Sequence, residues 1–333
     1  MVTTTILYSI IGVIITLIVC FIIGTFLPGV EKKYVHARIQ QRIGPPVTSV
    51  GIMAPIKFTF KENLEPRSPT PGLYKALPVL SFLCILLVLL FLTPQMYSVE
   101  LLSSVIAIIG LLKVEEIAYV FMGALSKSVM SLSMRFPDLV KGAAHIDIIR
   151  SHIEDISSKR SLRMITYGSF PLYLALFVPV VCSKSLYISD IIKYQQVHGP
   201  FLFTTQGILA ALIFFIGYVI LLNESPFNII EAESDVIQGP YMEYIAKYRS
   251  VIYLAKGLLM FTLAALFTVF FLGIPLNIFS WNILIYIVVA LLFTLFMGIF
   301  SAFTPIFTNR QFLPVVISSS LIGVLAIVIG ILV

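Results

Sequence analysis

Charged residues are scarce in this chain. Asp, Glu, Lys and Arg make up only 11% of its 333 residues, whereas 59% are hydrophobic. A soluble globular domain carries about 25% charged residues. The composition therefore excludes an ordinary soluble enzyme. It predicts an all-α membrane protein whose helices pack against each other and against lipid.

Closely spaced metal ligands are also lacking. The three cysteines, Cys20, Cys84 and Cys182, lie in or beside apolar runs, and no pair has CxxC spacing. Iron–sulfur and structural zinc sites normally need such spacing, so we expect neither in this chain. His145 and His152 have no third strong ligand beside them, and a solvated loop explains them better. No nucleophile–base signature or phosphate loop is present, so we predict no catalytic residue.

Long apolar runs, by contrast, are abundant. A membrane span needs about 20 apolar residues. The sequence offers eight such runs, at approximately 5–28, 76–94, 101–125, 163–183, 204–222, 250–274, 281–304 and 312–332. It shows no clear internal repeat of the kind found in transporters built from inverted repeats. We therefore predict one polytopic domain, residues 1–333, with eight transmembrane helices.

The basic residues predict the orientation of this domain. Eighteen of the 22 Lys and Arg residues lie in or beside the loops on one side, and only Lys184 and Lys193 lie on the other. The loops on the side with the 18 basic residues are at about 29–75, 126–162, 223–249 and 305–311. Lys and Arg concentrate in cytoplasmic loops. We therefore expect these loops to be cytoplasmic and both termini to lie outside the cell membrane.

Acidic residues are concentrated in one loop. The stretch Asn223–Arg249 holds five of the sixteen carboxylates of the chain. They are Glu224, Glu231, Glu233, Asp235 and Glu243. In a helix Glu231 and Asp235 would share a face, and like charges that close raise each other's pKa. This pattern favours a path for protons or other ions. The alternative is that these acids pair with basic loop residues and dock partner subunits.

Four charged residues lie inside apolar runs. They are Lys113, Glu115, Glu116 and Lys256. A charge at the centre of a bilayer costs about 3 kcal/mol or more, so such residues usually face other helices and pair. The i,i+3 spacing allows Lys113 to neutralise Glu116. Lys256 has no partner within its own helix, and our hypothesis is that it pairs with Glu115 or Glu116 across helices. A locally neutralised structural pair is the alternative.

The first loop carries a recognisable motif. From Glu31 it reads EKKxxxxRIQQRIGPPxxxxG and continues to PIKFTFKENLEP. Its centre, VGIMAPIKFTFKENL, has the mixture of apolar and basic residues typical of an interfacial amphipathic helix. The motif resembles the first cytoplasmic loop of the membrane anchor subunit of complex I. Relatives of that subunit occur in membrane-bound nickel–iron hydrogenases and archaeal sulfane-sulfur reductases. The segments SSKRSLRMITYGSFPLYLALFVP and PFNIIEAESDVIQGPYMEY resemble two further regions of this family.

The resemblance implies a role. Members of this family anchor a peripheral redox arm to the membrane, and the arm carries the iron–sulfur clusters. The residues implied at the arm interface are Glu31, Lys33, Arg38, Arg42, Gly44, Pro45, Arg160 and Arg163. Those implied in ion translocation and coupling are Glu224, Glu231, Glu233, Asp235, Glu243, Glu115, Glu116 and Lys256. The expected partners are the iron–sulfur and catalytic subunits of the arm, antiporter-like membrane subunits and lipid, and no redox cofactor is expected in this chain.

Departures from the family pattern bear on the electron acceptor. About one helical turn is missing before Lys57, in a helix that contributes to the quinone chamber of quinone-reducing members. The family's aspartate has become Asn228. Gly168 stands in place of one family glutamate, and Lys256 stands in place of a second. These changes favour the hydrogenase or sulfane-sulfur reductase branch. A quinone-binding subunit with a chamber near Phe58, a stand-alone ion carrier and a passive anchor remain as alternatives.

Overall fold

The computed structural model describes residues 2–63, 70–97, 102–125, 153–231 and 239–332. Within these ranges helices are joined by turns and short loops, and the one β-type pairing is an isolated bridge between Ser104 and Tyr187. In chain order the helices are α1 (Val2–Val30), α2 (Ala54–Thr59), α3 (Pro71–Phe91), α4 (Val105–Leu125), α5 (Ile153–Arg163), α6 (Phe170–Ser183), α7 (Ile188–His198), α8 (Thr205–Leu221), α9 (Lys247–Leu272), α10 (Asn282–Phe303) and α11 (Asn309–Leu332). The prediction of an all-α protein is confirmed.

Six helical segments in the described ranges are long and apolar enough to cross a membrane. They are Tyr8–Ile39, Pro71–Phe91, Ser157–Ser183, Lys247–Leu272, Asn282–Phe303 and Arg310–Leu332. The remaining two predicted spans correspond to α8, which is shorter, and to α4, which carries three charges. Helix α9 is almost wholly buried and packs against α1, α3 and α10. A hydrophobic helix that is buried on all sides is the centre of its bundle.

Two helices extend beyond their predicted ends. Helix α1 continues through a π-helical turn, Glu31–His36, as far as Ile39, whereas the apolar run predicted an end at residue 28. Likewise α5 joins α6 through the π-helical turn Met164–Gly168, so the helix that enters the membrane begins ten residues before the predicted residue 163. Hydropathy marks where lipid contact ends, but polar residues such as Glu, Lys and Arg propagate a helix well. The sequence also favours a short amphipathic helix at 146–156, and most of that segment lies outside the described residues.

The loops contain two further helices. The segment Ser49–Thr59 is helical, which confirms the helix predicted from the first-loop motif. On the opposite side of the bundle, α7 is a helix that hydropathy did not predict. Its Gln195 side chain donates to the carbonyls of Val269 and Phe270, at 3.3 and 3.1 Å, and accepts from the N–H of Phe201. Helix α7 thereby satisfies carbonyls at the end of α9 that would otherwise be unpaired.

The first-loop helix lies in direct backbone contact with α1. A Cβ added to Gly51 would lie 1.5 Å from the carbonyl oxygen of Thr25, and one added to Gly29 would lie 1.8 Å from that of Val47. Neither carbonyl can move without disturbing its own segment. The loop is therefore fixed against the membrane bundle at two glycines.

We expect Gly51→Ala to destabilise the protein by on the order of 3 kcal/mol, because overpacking against backbone cannot be relieved by a side-chain rotation. Thermal unfolding of the detergent-solubilised protein measures the loss. Gly110→Ala is the matched control, since a Cβ at Gly110 meets nothing within 4 Å. Equal melting temperatures for the two variants would contradict the close contact.

Candidate ion-coupling cavity

A cavity lies among α3, α4, α5, α8, α9 and the acidic loop. It offers about 60 Å³ to water molecules. A single water needs about 10–15 Å³ on this measure, so the cavity can hold a few waters. Its ionisable lining consists of Glu115, Glu116, Glu231, Tyr119, Tyr241 and Lys256. Four of the residues predicted for coupling therefore come together at one cavity.

Glu115 is placed in the cavity wall by the packing of α4 on α3. Its side chain is buried, and its Oε1 accepts a hydrogen bond from the Ser81 hydroxyl at 3.0 Å. No cation lies within ion-pair distance of it among the described residues. Glu115 is therefore a buried carboxyl group that a neutral donor holds in place.

Glu116 has a different environment, although it is the next residue. The Lys113 ammonium lies 2.9 Å from its Oε2, which confirms the predicted i,i+3 pair. The hydroxyls of Tyr173 and Ser169 donate to the same carboxylate at 2.6 and 3.1 Å. Lys113 also donates to the carbonyl of Ile165, 2.8 Å away in the π-helical turn. Three hydrogen-bond donors thus fix Glu116 in one position.

Glu231 comes from the acidic loop. It lies in a turn, so the helical face that the sequence suggested for it is not present at this residue. It accepts a hydrogen bond from the Tyr119 hydroxyl. Glu231 is partly exposed. Because it lines the cavity, its surroundings are still those of the protein interior. Burial raises the pKa of Glu231, the Lys256 cation opposes this, and the nearby Glu224 raises the pKa further.

The raised pKa of Glu231 predicts a pH dependence of stability. At a pH between the ordinary pKa of 4.5 and the raised pKa of Glu231, the folded chain keeps a proton that the unfolded chain has released. Stability therefore falls as the pH rises through this range, because folding then favours the protonated form. The melting temperature of Glu231→Gln minus that of the unaltered protein should therefore increase as the pH rises from 4.5 to 8.

Differential scanning fluorimetry in detergent would measure this pH series. Glu62→Gln is the control, since it alters an exposed carboxylate in the first loop. A difference between Glu231→Gln and the unaltered protein that stays constant across the series would contradict the prediction.

Lys256 pairs with a residue other than the predicted ones. Its ammonium lies 2.9 Å from Oε1 of Glu224, so the hypothesis of a pair with Glu115 or Glu116 is wrong. Two structural facts explain the difference. Glu116 is already neutralised by Lys113, and the acidic loop turns back immediately after α8. The N–H of Glu224 donates to the carbonyl of Val219, which holds Glu224 near α9.

The path of charges extends to α1 through Glu31. The resemblance suggested a place for Glu31 at the arm interface, but its side chain is buried. The His36 ring lies 3.2 Å from it and 2.8 Å from the Ser301 hydroxyl of α10. Glu224 and Lys256 both act electrostatically on Glu31. Sequence reasoning missed this part of the path, because the apolar run ends before Glu31 although the helix does not.

The other predicted site residues lie outside the cavity. Arg38, Arg42 and Arg163 are exposed, and Lys33, Gly44, Pro45 and Glu243 are partly exposed. Arg160 donates to the carbonyl of Ile229 at 3.0 Å and so ties α5 to the acidic loop. Glu233 and Asp235 lie outside the described residues. Within the described ranges, no group of three or more His, Cys, Asp or Glu residues is arranged to hold a metal ion.

Known proteins resemble the chain over most of its length. The family model for NADH dehydrogenase matches residues 11–134 and 154–332. An uncharacterized protein of Methanocaldococcus jannaschii is 42% identical over 313 residues, which cover 94% of this chain and 95% of that protein. An NADH-quinone oxidoreductase subunit of Carboxydothermus hydrogenoformans is 26% identical over 284 residues, which cover 83% of this chain and 71% of the relative.

The fold is also found in a solved structure. A chain in the membrane-bound sulfane sulfur reductase, an archaeal respiratory membrane complex, matches with a TM-score of 0.77 and 21% identity. The match covers 97% of this chain and 99% of that one. The family match extends over the first-loop motif, the cavity and the acidic loop alike. The chain therefore belongs to the NADH dehydrogenase family, as its resemblance to the membrane anchor subunit of complex I predicted.

Proposed function

We propose that this chain is the membrane anchor subunit of a respiratory redox complex. It docks a peripheral iron–sulfur arm and couples electron transfer to the translocation of protons or sodium ions. Membership of the family and the likeness to a chain of the sulfane sulfur reductase complex support this role. The observation that carries it is the line of buried and partly buried ionisable groups that runs from Glu31 past Lys256 to Glu116.

The line has the properties that an ion path requires. Its members come from α1, α4, α9 and the acidic loop, so it crosses the bundle and is not confined to one helix. The cavity beside it has room for a few water molecules. Buried carboxyl groups are expensive to keep charged, and they are kept where protons or ions have to move. A passive anchor has no need for a buried path of this kind.

In this proposal the bundle spans the cell membrane eight times. Helices α4 and α8 cross together with the six longer segments. The two carboxylates of α4, Glu115 and Glu116, line the cavity, and Lys113 pairs with Glu116. The loops at about 29–75, 126–162, 223–249 and 305–311 face the cytoplasm, and both termini lie outside. The exposed Arg38, Arg42 and Arg163 are then available to the peripheral arm.

The redox chemistry belongs to the partner subunits. Iron–sulfur clusters and the site of the electron acceptor reside in the peripheral arm, and antiporter-like membrane subunits move further ions. The departures at Lys57, Gly168 and Lys256 favour an arm of the hydrogenase or sulfane-sulfur reductase type. A quinone-reducing arm is the alternative, and the likeness to an NADH-quinone oxidoreductase subunit supports it.

Affinity purification of the intact complex through a tag on this chain tests the proposal. We expect iron–sulfur subunits to co-purify, and reconstituted vesicles to take up ions only while electrons flow. Nickel in the arm would identify a hydrogenase, and inhibition by quinone-site ligands would identify a quinone reductase. The Glu231→Gln variant should retain its subunits but lose coupled ion uptake. Ion transport by the purified chain alone would overturn the proposal in favour of a stand-alone carrier.

A further inference from the structure

Lys256 lies between two groups of buried and partly buried carboxylates. On one side are Glu224, with which it pairs at 2.9 Å, and Glu31 beyond. On the other side is the cavity, which Lys256 lines together with Glu231 and Glu115. Lys256 therefore contacts the first group and borders the second.

Two other basic residues near the cavity, Arg249 and Lys113, are each fixed by several partners. Arg249 donates to the carbonyl of Tyr241 at 2.9 Å and to the Tyr253 hydroxyl at 3.4 Å, and it stacks over both rings. Lys113 is held by Glu116, by Ser169 and by a backbone carbonyl. Lys256, by contrast, has Glu224 as its one ion-pair partner among the described residues.

The surroundings of Lys256 allow its ammonium to move. Its side chain is 31% exposed, although α9 is nearly wholly buried, and the space beside it is the cavity. A lysine carries a compact charge on a flexible four-carbon stem. The positive charge already acts on Glu231 from its position beside Glu224.

We propose that Lys256 is a tethered counter-ion that exchanges between Glu224 and Glu231 and so joins the two halves of the ion path. The proposal rests on the proposed function. When a monovalent cation, H⁺ or Na⁺, neutralises Glu224, the ammonium leaves it and pairs with Glu231. Glu231 then releases its own proton or ion to the cavity water, towards Glu115. One positive charge enters and one leaves, and Lys256 remains charged throughout.

The exchange avoids an unpaired charge at each stage. Removing one partner from a buried pair leaves an uncompensated charge that is strongly destabilising. Here one carboxylate is neutralised as the other gains the ammonium. Among the described residues, the other charged and titratable groups around the pair are Glu31, His36, Lys32, Arg249, Glu115, Glu116, Tyr119, Tyr218 and Tyr241. They stay in place while Lys256 moves.

The titration of Glu231 distinguishes a mobile lysine from a fixed one. Infrared difference spectroscopy of the intact complex follows the protonated carboxyl band of Glu231, which the Glu231→Gln variant identifies. Glu224→Gln removes a negative charge near Glu231. It therefore lowers the pH at which Glu231 titrates, whether Lys256 is mobile or fixed. If Lys256 is free to move, it pairs with Glu231 once Glu224 is neutral. Glu224→Gln then shifts the titration of Glu231 further when Lys256 is present than when it is replaced in Lys256→Met. We expect a difference of about one pH unit, a tenfold change in proton concentration. Equal shifts in the two backgrounds would overturn the proposal.

The neutral pair provides the second measurement. Glu224→Gln combined with Lys256→Met leaves no unpaired charge, so the protein should fold and assemble. A fixed structural pair predicts that this double variant restores coupled ion uptake, and that result would also overturn the exchange. A mobile counter-ion predicts that uptake stays lost. A different result would contradict the proposed function itself. That result is coupled ion uptake that stays intact in the Glu231→Gln single variant.

Discussion

Glu116→Gln should be among the most destabilising conservative substitutions in this protein. It preserves the shape of the side chain and its hydrogen bond from Tyr173, but it removes the charge that neutralises Lys113. Breaking a buried ion pair from one side costs on the order of 3 kcal/mol, because the remaining charge is left without its partner. The carbonyl of Ile165 and the hydroxyl of Ser169 offset only part of this loss.

A double-mutant cycle isolates the contribution of the pair. Glu116→Gln together with Lys113→Met removes both charges and should recover most of the lost stability, since well-packed neutral residues often replace a buried pair at little cost. Unfolding of the detergent-solubilised protein by heat or denaturant measures all members of the cycle.

The chain offers a matched control for this cycle. Lys193 and Asp190 on α7 form another i,i+3 pair, at 3.4 Å, with side chains 74% and 47% exposed. Exposed pairs contribute about 0.2–1 kcal/mol, so Asp190→Asn should have a small effect. If Glu116→Gln destabilises the protein no more than Asp190→Asn does, Lys113 and Glu116 are not a buried, mutually dependent pair.

The Lys113–Glu116 pair was predictable, whereas the partner of Lys256 was not. Residues three apart on a helix are neighbours whatever the rest of the fold does. The partner of Lys256 depends on how far the acidic loop turns back after α8, and hydropathy and spacing contain no information about that turn. The sequence pointed correctly to a lysine that needs a partner from another element, but it could not identify Glu224.

The ends of the helices were less predictable than their centres. Apolar runs located α1 and α6 well, because a membrane span must bury about 20 apolar residues. They did not show that α1 continues to Ile39, and so the burial of Glu31 was missed. That burial depends on Gly298 of α10, where an added Cβ would lie 3.2 Å from Cγ of Glu31. The sequence feature related to this burial is therefore a glycine far along the chain. No local sequence pattern connects that glycine to Glu31.

Glu115→Gln should lower ion translocation without the loss of stability expected for Glu116→Gln. Among the described residues, Glu115 has a hydroxyl partner, Ser81, and no cation within ion-pair distance. A neutral amide can still accept the Ser81 hydrogen bond, so the fold should remain intact. The amide cannot take up and release a proton, however, and a positioned proton-transfer group is worth a factor of about 10²–10⁴ in rate.

Vesicles containing the intact complex allow the number of ions taken up per electron transferred to be measured. We expect this ratio to fall at least about tenfold in Glu115→Gln, because the cavity loses a positioned proton-transfer group. Glu243→Gln is the matched control. It makes the same change in a carboxylate that the sequence placed in the coupling set but that does not line the cavity. Its ratio should remain that of the unaltered complex. If the two variants translocate ions equally well, the cavity is not on the path, and the acidic residues of this chain serve docking alone.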